Sequence, residues 1–126
     1  MAEVKRTERG WVAHFVCASR CAFRRNTLLE CGEQRVVVST VGNMRKLAVE
    51  GPGTEEIGIG RFYETMAFRA VFEDPYWEAD ISNQVNFESP RAISDAKQDA
   101  DLRANAMHEA VVAEISGKLQ EEVAGG

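Results

Sequence analysis

The sequence carries none of the common catalytic signatures. It has no Walker loop, no G-x-S-x-G elbow, no H-E-x-x-H zinc helix and no dinucleotide-binding glycine pattern. Gly58-Ile59-Gly60 is too short a glycine pattern to count. Histidine is reduced to His14 and His108, neither of them in a metal-ligand spacing. Cys17 and Cys21 lie four apart but lack a matching second pair, so the expectation is no metal and no cofactor. No apolar run approaches the roughly 20 residues of a membrane span. Met1-Ala2-Glu3-Val4-Lys5-Arg6 has no hydrophobic segment of the signal-peptide kind. With 3 cysteines (Cys17, Cys21, Cys31), an odd number, the expectation is reduced thiols in a cytoplasm.

Basic charge is also short, and it is unevenly placed. The net charge is −5, yet residues 1–47 carry 9 Lys+Arg against 4 Asp+Glu, while residues 48–126 carry 6 against 16. An acidic chain is a poor binder of long nucleic acid, which needs a broad basic surface. A small anion in a local basic pocket remains compatible with it. So does self-association, the basic part of one copy against the acidic part of another. The 126 residues, 44% of them hydrophobic, fit a single globular domain.

Residues 1–8 are polar and read as a frayed end, and residues 9–88 read as a β-sheet. Gly10 to Ala18 alternates with both faces largely apolar, the pattern of a central strand. Cys21 to Leu29 is a second strand, with Phe23, Arg25, Thr27 and Leu29 on one face and Ala22, Arg24, Asn26 and Leu28 on the other. The β-branched run Arg35 to Val41 is the clearest strand. Gly42-Asn43 looks like a turn before a short strand from Met44 to Val49. Glu50 to Glu56 is an exposed loop. Strands from Arg61 to Phe72 and from Tyr76 to Phe87 flank an Asp74-Pro75 turn. The result is an antiparallel meander of five to seven strands.

After Pro90 the chain has no further proline and becomes rich in Ala, Glu, Lys and Gln. A long helix or helices over 92–123 is expected, with Ser94 or Asp95 as its cap and Gln98 as a capping-box partner. Met107, Val111, Ile115 and Leu119 recur at i, i+4 and form one apolar stripe. Gly117 weakens that helix by about 1 kcal/mol relative to Ala. The fold class is therefore α+β: an N-terminal antiparallel meander followed by C-terminal helix.

The densest chemistry is Arg20-Cys21-Ala22-Phe23-Arg24-Arg25-Asn26-Thr27. Arginine forks and amide donors suit phosphate oxygens, and an aromatic face suits a base. Strand alternation puts Arg24 and Arg25 on opposite faces. Either a bulge or a subunit boundary brings both into use, or one is solvated and the other sits in a salt bridge. Trp11 and Phe23 stack on a base or fill the sheet core; Tyr76 at a strand end poses the same alternative. Asn105, His108 and Glu109 share part of one helix face and serve either a ligand or an inter-subunit hydrogen-bond network. His14 or His108 would be the acid/base of a nucleotide-processing enzyme, the main catalytic alternative.

The strings "RGWVAHFVCASRCAFRRNTLLE", "VVVSTVG", "GRFYETMAF", "PYWEADI" and "ANAMHEAVVAEI" span most of the chain. Together they resemble the phage-encoded Thoeris anti-defence sponge family. The resemblance implies a non-enzymatic protein that acts in the cytoplasm of an infected bacterial cell. It would sequester a cyclic ADP-ribose-type signal made by host TIR-domain proteins, and some members also hold cyclic oligonucleotides. It also implies a sheet followed by long helices, assembled as a homodimer or higher homo-oligomer. Phosphate charge would fall mainly to Arg20, Arg24, Arg25 and Arg61, because the helical part offers only Arg103 and Lys118 as cations. A protein–protein inhibitor is a third possibility.

Overall fold

The computed structural model describes residues 2–10, 14 and 18–125 of the chain. Seven strands form one antiparallel sheet: β1 (Lys5–Glu8), β2 (Cys21–Cys31), β3 (Gln34–Arg45), β4 (Thr54–Glu55), β5 (Tyr63–Glu73), β6 (Tyr76–Val85) and β7 (Ala92–Ile93). Their order across the sheet is β1-β2-β3-β5-β6, with β4 on the far end of β3 and β7 beside the start of β5. A single helix, α1 (Ala100–Gly125), follows and lies on one face. At 26 residues it is about 39 Å long. No helix among the described residues is long and apolar enough to cross a membrane. The α+β class, sheet first and helix last, is as the sequence predicts.

The core lies between α1 and the sheet. Val111, Val112, Ile115 and Leu119 pack on Leu29, Val36, Val38, Ala67 and Phe87. All four residues of the i, i+4 stripe are buried, because a helix laid across a flat sheet covers it with one stripe only. A second cluster joins Phe23 and Tyr63 to Ala100, Ala104 and Met107. Cys21 and Cys31 are both buried.

The structure departs from the sequence expectation in several places. The short strand expected from Met44 to Val49 ends at Arg45, where β3 ends, and Ala48–Glu50 is a 3-10 turn. Within the expected loop from Glu50 to Glu56, Thr54–Glu55 pairs with Arg45 and Met44 as β4. The polar start is not wholly frayed: Lys5–Glu8 pairs with Glu30 to Thr27 of β2. Gly42-Asn43 is not a turn. β3 runs through it to Arg45, and Gly42 is there because the Tyr63 ring crosses the backbone at that point. A Cβ would lie 2.6 Å from Tyr63 Cγ and 2.7 Å from the Phe62 carbonyl oxygen. Asn43 continues the strand at φ 56°, a left-handed value that asparagine tolerates better than most residues. The helix starts at Ala100, not near 92. The Phe62 N–H donates to the Ile93 carbonyl and the Thr65 N–H to that of Arg91, which holds 91–93 as an edge strand. Asp95 does not cap the helix; its carboxylate accepts from the Lys97 N–H and from the Arg103 guanidinium. The expected strand Gly10 to Ala18 lies mostly outside the described residues; its end, Ala18–Arg20, is a single 3-10 turn.

Candidate ligand groove and the polar cluster under the helix

Strand alternation in β2 is as expected, and it separates the arginine run. Arg25 and Thr27 face α1, whereas Arg24 is exposed on the other side and Asn26 is buried there. Arg25 joins a closed ring of four charges along the β1 edge of the helix. Arg6 donates to Glu109 from Nη1 and Nη2, at 2.8 and 2.9 Å. Arg25 binds Glu109 at 2.9 Å and Glu8 at 2.8 Å. Arg6 reaches Glu8 at 3.4 Å and closes the ring. The hydrogen bond from Arg6 is the main reason the Glu109 carboxyl is held down to about 2. Burial alone would raise the Glu8 carboxyl, but hydrogen bonds from Arg25 and Thr27 carry it below its usual value.

Inside the ring a polar chain runs under the helix. Thr27 Oγ1 lies 2.7 Å from Glu8 Oε2 and 2.7 Å from His108 Nε2. Thr40 Oγ1 lies 2.7 Å from His108 Nδ1 and 2.6 Å from Thr65 Oγ1. For a neutral imidazole, donor counting gives the direction of each bond. A carboxylate only accepts, so Thr27 must donate to Glu8 and can only accept from His108. Nε2 therefore carries the imidazole proton, and Nδ1 accepts from Thr40. Thr40 in turn accepts from Thr65. His108, Thr27, Thr40 and Thr65 are all fully buried. Burial, followed by the nearby Arg25 cation, pushes the His108 imidazole down to about 4, so it is neutral at pH 7.

Four of the sequence-predicted site residues thus meet here: Arg25, Thr27, Asn105 and His108, with Asn105 Oδ1 accepting from Arg25 at 3.5 Å. The others are dispersed. Phe23 is in the core, edge-on to Tyr63 with centroids 5.7 Å apart. Arg20 donates twice to the Arg45 carbonyl, at 3.1 and 2.8 Å. Arg61 pairs with Glu64. Asn26 Oδ1 accepts from Arg9 at 2.9 Å on the face away from α1. Tyr76 is exposed at the β5–β6 hairpin. Trp11 lies outside the described residues. Sequence reasoning missed Arg6, Glu8, Thr40 and Thr65. Opposite charges at i and i+2, Arg6 and Glu8, are the one signal for the first two.

His14 sits on the opposite face of the sheet. Its Nδ1 is 2.8 Å from Ser39 Oγ and its Nε2 is 3.5 Å from Glu64 Oε1. The imidazole is 2% exposed and Ser39 is fully buried, so this Ser-His-Glu arrangement presents no nucleophile to solvent.

The other flank of α1 holds a groove of about 320 Å³ between the helix and β7. Pro90, Ile93, Ala106, Met107 and Ala110 line its walls, and Arg103 is the charged residue beside them. Arg103 is held by Asp95 and by Asp99, the latter at 3.1 Å. At the other end Glu114 accepts from the Glu88 N–H, the Ser89 N–H and Ser89 Oγ, at 2.7, 2.9 and 2.7 Å. Those bonds, Ser89 Oγ first, hold the Glu114 carboxyl down to about 2. Both ends of the 88–99 segment are therefore pinned to the helix, and the groove is preformed. No group of three or more His, Cys, Asp or Glu among the described residues is arranged to hold a metal ion.

Comparison with known proteins finds no match: no family model fits the sequence, and no curated protein or solved structure is similar to it.

Proposed function

We propose that the protein binds a small phosphorylated, nucleotide-like ligand and acts by holding it rather than by converting it. The observation that carries this reading is the preformed groove between β7 and α1, an apolar wall with a guanidinium beside it. Its volume lies at the low end of small-ligand cavities, about 300–1,000 Å³. A base or sugar ring packs on Pro90, Ile93 and Met107, while a phosphate meets Arg103 and the rest of the ligand extends past the rim. The resemblance to the Thoeris anti-defence sponges supplies the ligand class: a cyclic ADP-ribose-type signal, or a cyclic oligonucleotide, captured in an infected bacterial cell to silence TIR-based immunity. Sequestration needs slow release and no base or nucleophile. The arrangement of the histidines favours this over a nucleotide-processing enzyme. Both nitrogens of His108 are occupied by threonine hydroxyls, and the His14 ring is enclosed.

The test is native mass spectrometry and thermal shift with glycocyclic ADP-ribose and cyclic dinucleotides. A tight ligand adds about 4 kcal/mol at a thousandfold excess over Kd. Arg103→Ala and the groove-filling Ala110→Trp, both at helix positions that reach solvent, are expected to lose most of the shift. Arg24→Ala is expected to keep it. Ligand recovered chemically changed would overturn sequestration. Loss of binding in Arg24→Ala, with Ala110→Trp still binding, would move the site to the outer face of β2. No shift with any nucleotide would sink the reading.

A further inference from the structure

Most large hydrophobic side chains exposed among the described residues gather in two places. Of the eight, Val71, Phe72, Tyr76 and Ile81 belong to the β5–β6 hairpin, and Leu47 and Val49 to the segment after β3. The hairpin carries Glu73, Asp74, Glu78 and Asp80 and no base between residues 70 and 85. β3 ends at Arg45 and Lys46 follows it, both exposed, with Arg20 and the exposed Arg24 at the neighbouring start of β2. Arg24 has no ion pair among the described residues, and Arg20 contacts a carbonyl rather than a carboxylate. One surface is apolar and acidic, the other apolar and basic.

These two surfaces cannot meet within one chain. β5 lies against β3 only as far as Arg69, which faces Val36; residues 70–73 run beyond and pair with β6 alone. Arg45 is at the other end of β3. At about 3.3 Å per residue the hairpin tip and Arg45 stand about 40 Å apart. The hairpin is also braced. Phe72 meets Trp77 edge-on at 5.2 Å, the Arg35 guanidinium lies 4.3 Å above the Trp77 ring, and Arg9 donates to the Trp77 carbonyl. A surface ordered beforehand loses little freedom on docking.

We propose that the β5–β6 hairpin of one copy docks on the Arg20/Arg24/Arg45/Lys46 surface of the next, giving head-to-tail association of this chain with itself. Two different patches at opposite ends make the contact heterologous, so it propagates to a ring or an open chain. The inference does not depend on any ligand. The test is sedimentation velocity over a concentration series at low and high salt, with two surface variants. Phe72→Ser with Tyr76→Ser blunts the hairpin, and Arg45→Ser with Lys46→Ser blunts the basic surface. Wild type is expected to grow with concentration and to shrink with salt. Each variant alone loses that growth. Their equimolar mixture restores a single contact, between the intact hairpin of one and the intact basic surface of the other, and so gains one 1:1 complex that grows no further. Growth unchanged in either variant, or a mixture that forms no 1:1 complex, would overturn the proposal. So would a wild type that stays one size at every concentration and salt.

Discussion

His108 makes the stability of this protein depend on pH in a window where its carboxylates do not. The unfolded imidazole titrates near 6.5, and the folded one is pushed down to about 4. Between those values the unfolded chain binds more protons than the folded one. Stability therefore rises with pH through the window and is lost as pH falls through it. Going from pH 7 to pH 5 should cost about 2 kcal/mol from this one residue. The depressed carboxyls of Glu8 and Glu109 have the same ordering, folded below unfolded, but they start from about 4.5, so the stability they add is lost mainly below that pH and they contribute little between pH 7 and 5. His108→Leu removes the titration. It also removes two buried hydrogen bonds, although Thr27 keeps Glu8 and Thr40 keeps Thr65 as partners, so the variant should lose about 2 kcal/mol at pH 7. The two proteins are then expected to differ at pH 7 and to converge near pH 5. Urea denaturation at pH 7, 6 and 5 reads both curves. A wild-type midpoint that is flat from pH 7 to 5, or a variant that falls in parallel with it, would refute the depressed, neutral imidazole.

Gly42→Ala should destabilise by about 3 kcal/mol, because the new methyl meets the Tyr63 ring and the Phe62 carbonyl at once and the backbone has no room to move; thermal denaturation measures it, and a cost near zero would mean the Tyr63 ring swings away freely. Gly117→Ala, on the helix with open space around its Cα, should stabilise by about 1 kcal/mol in the same assay. Arg25→Ala opens the four-charge ring, so the Glu109 carboxyl should move up from about 2 toward its ordinary range, followed by carboxyl-detected NMR titration; an unmoved Glu109 would show that Arg6 alone sets it.

What the sequence reveals is what has a period. The valine run of β3, the strands on either side of Asp74-Pro75 and the Met107–Leu119 stripe are all legible because burial on one face repeats at 2 or 3.6 residues. The division of Arg24 from Arg25 was legible for the same reason. β1 was not, since four polar residues have no apolar period, and their strand depends on Arg6 and Glu8 finding Glu109 and Arg25 more than 15 positions away. Gly42 was misread because a glycine that admits an aromatic ring and a glycine that turns the chain look alike in sequence. The helix start was misread because Asp95 has the chemistry of a cap but gives its carboxylate to Arg103. The polar chain under α1 was half visible. His108 and Thr27 each stand out in the sequence, but nothing in either neighbourhood shows that residues 81 positions apart share a hydrogen bond.

The arginine run that dominates the sequence is therefore divided among different tasks. Arg25 holds the first strand to the helix, Arg20 ties the start of β2 to the end of β3, and Arg24 faces outward. None of the three points into the groove beside Arg103. An anion in that groove meets one guanidinium that already has two carboxylate partners, so ring packing on Pro90, Ile93 and Met107 must supply most of its affinity. Arg24, Arg45 and Lys46 are cations without a carboxylate partner among the described residues, and they lie at the end of β3 where the acidic hairpin of a second copy would dock. The proposed ligand capture and the proposed self-association thus draw on separate surfaces of the same small sheet: one apolar and against the helix, the other charged and at its ends.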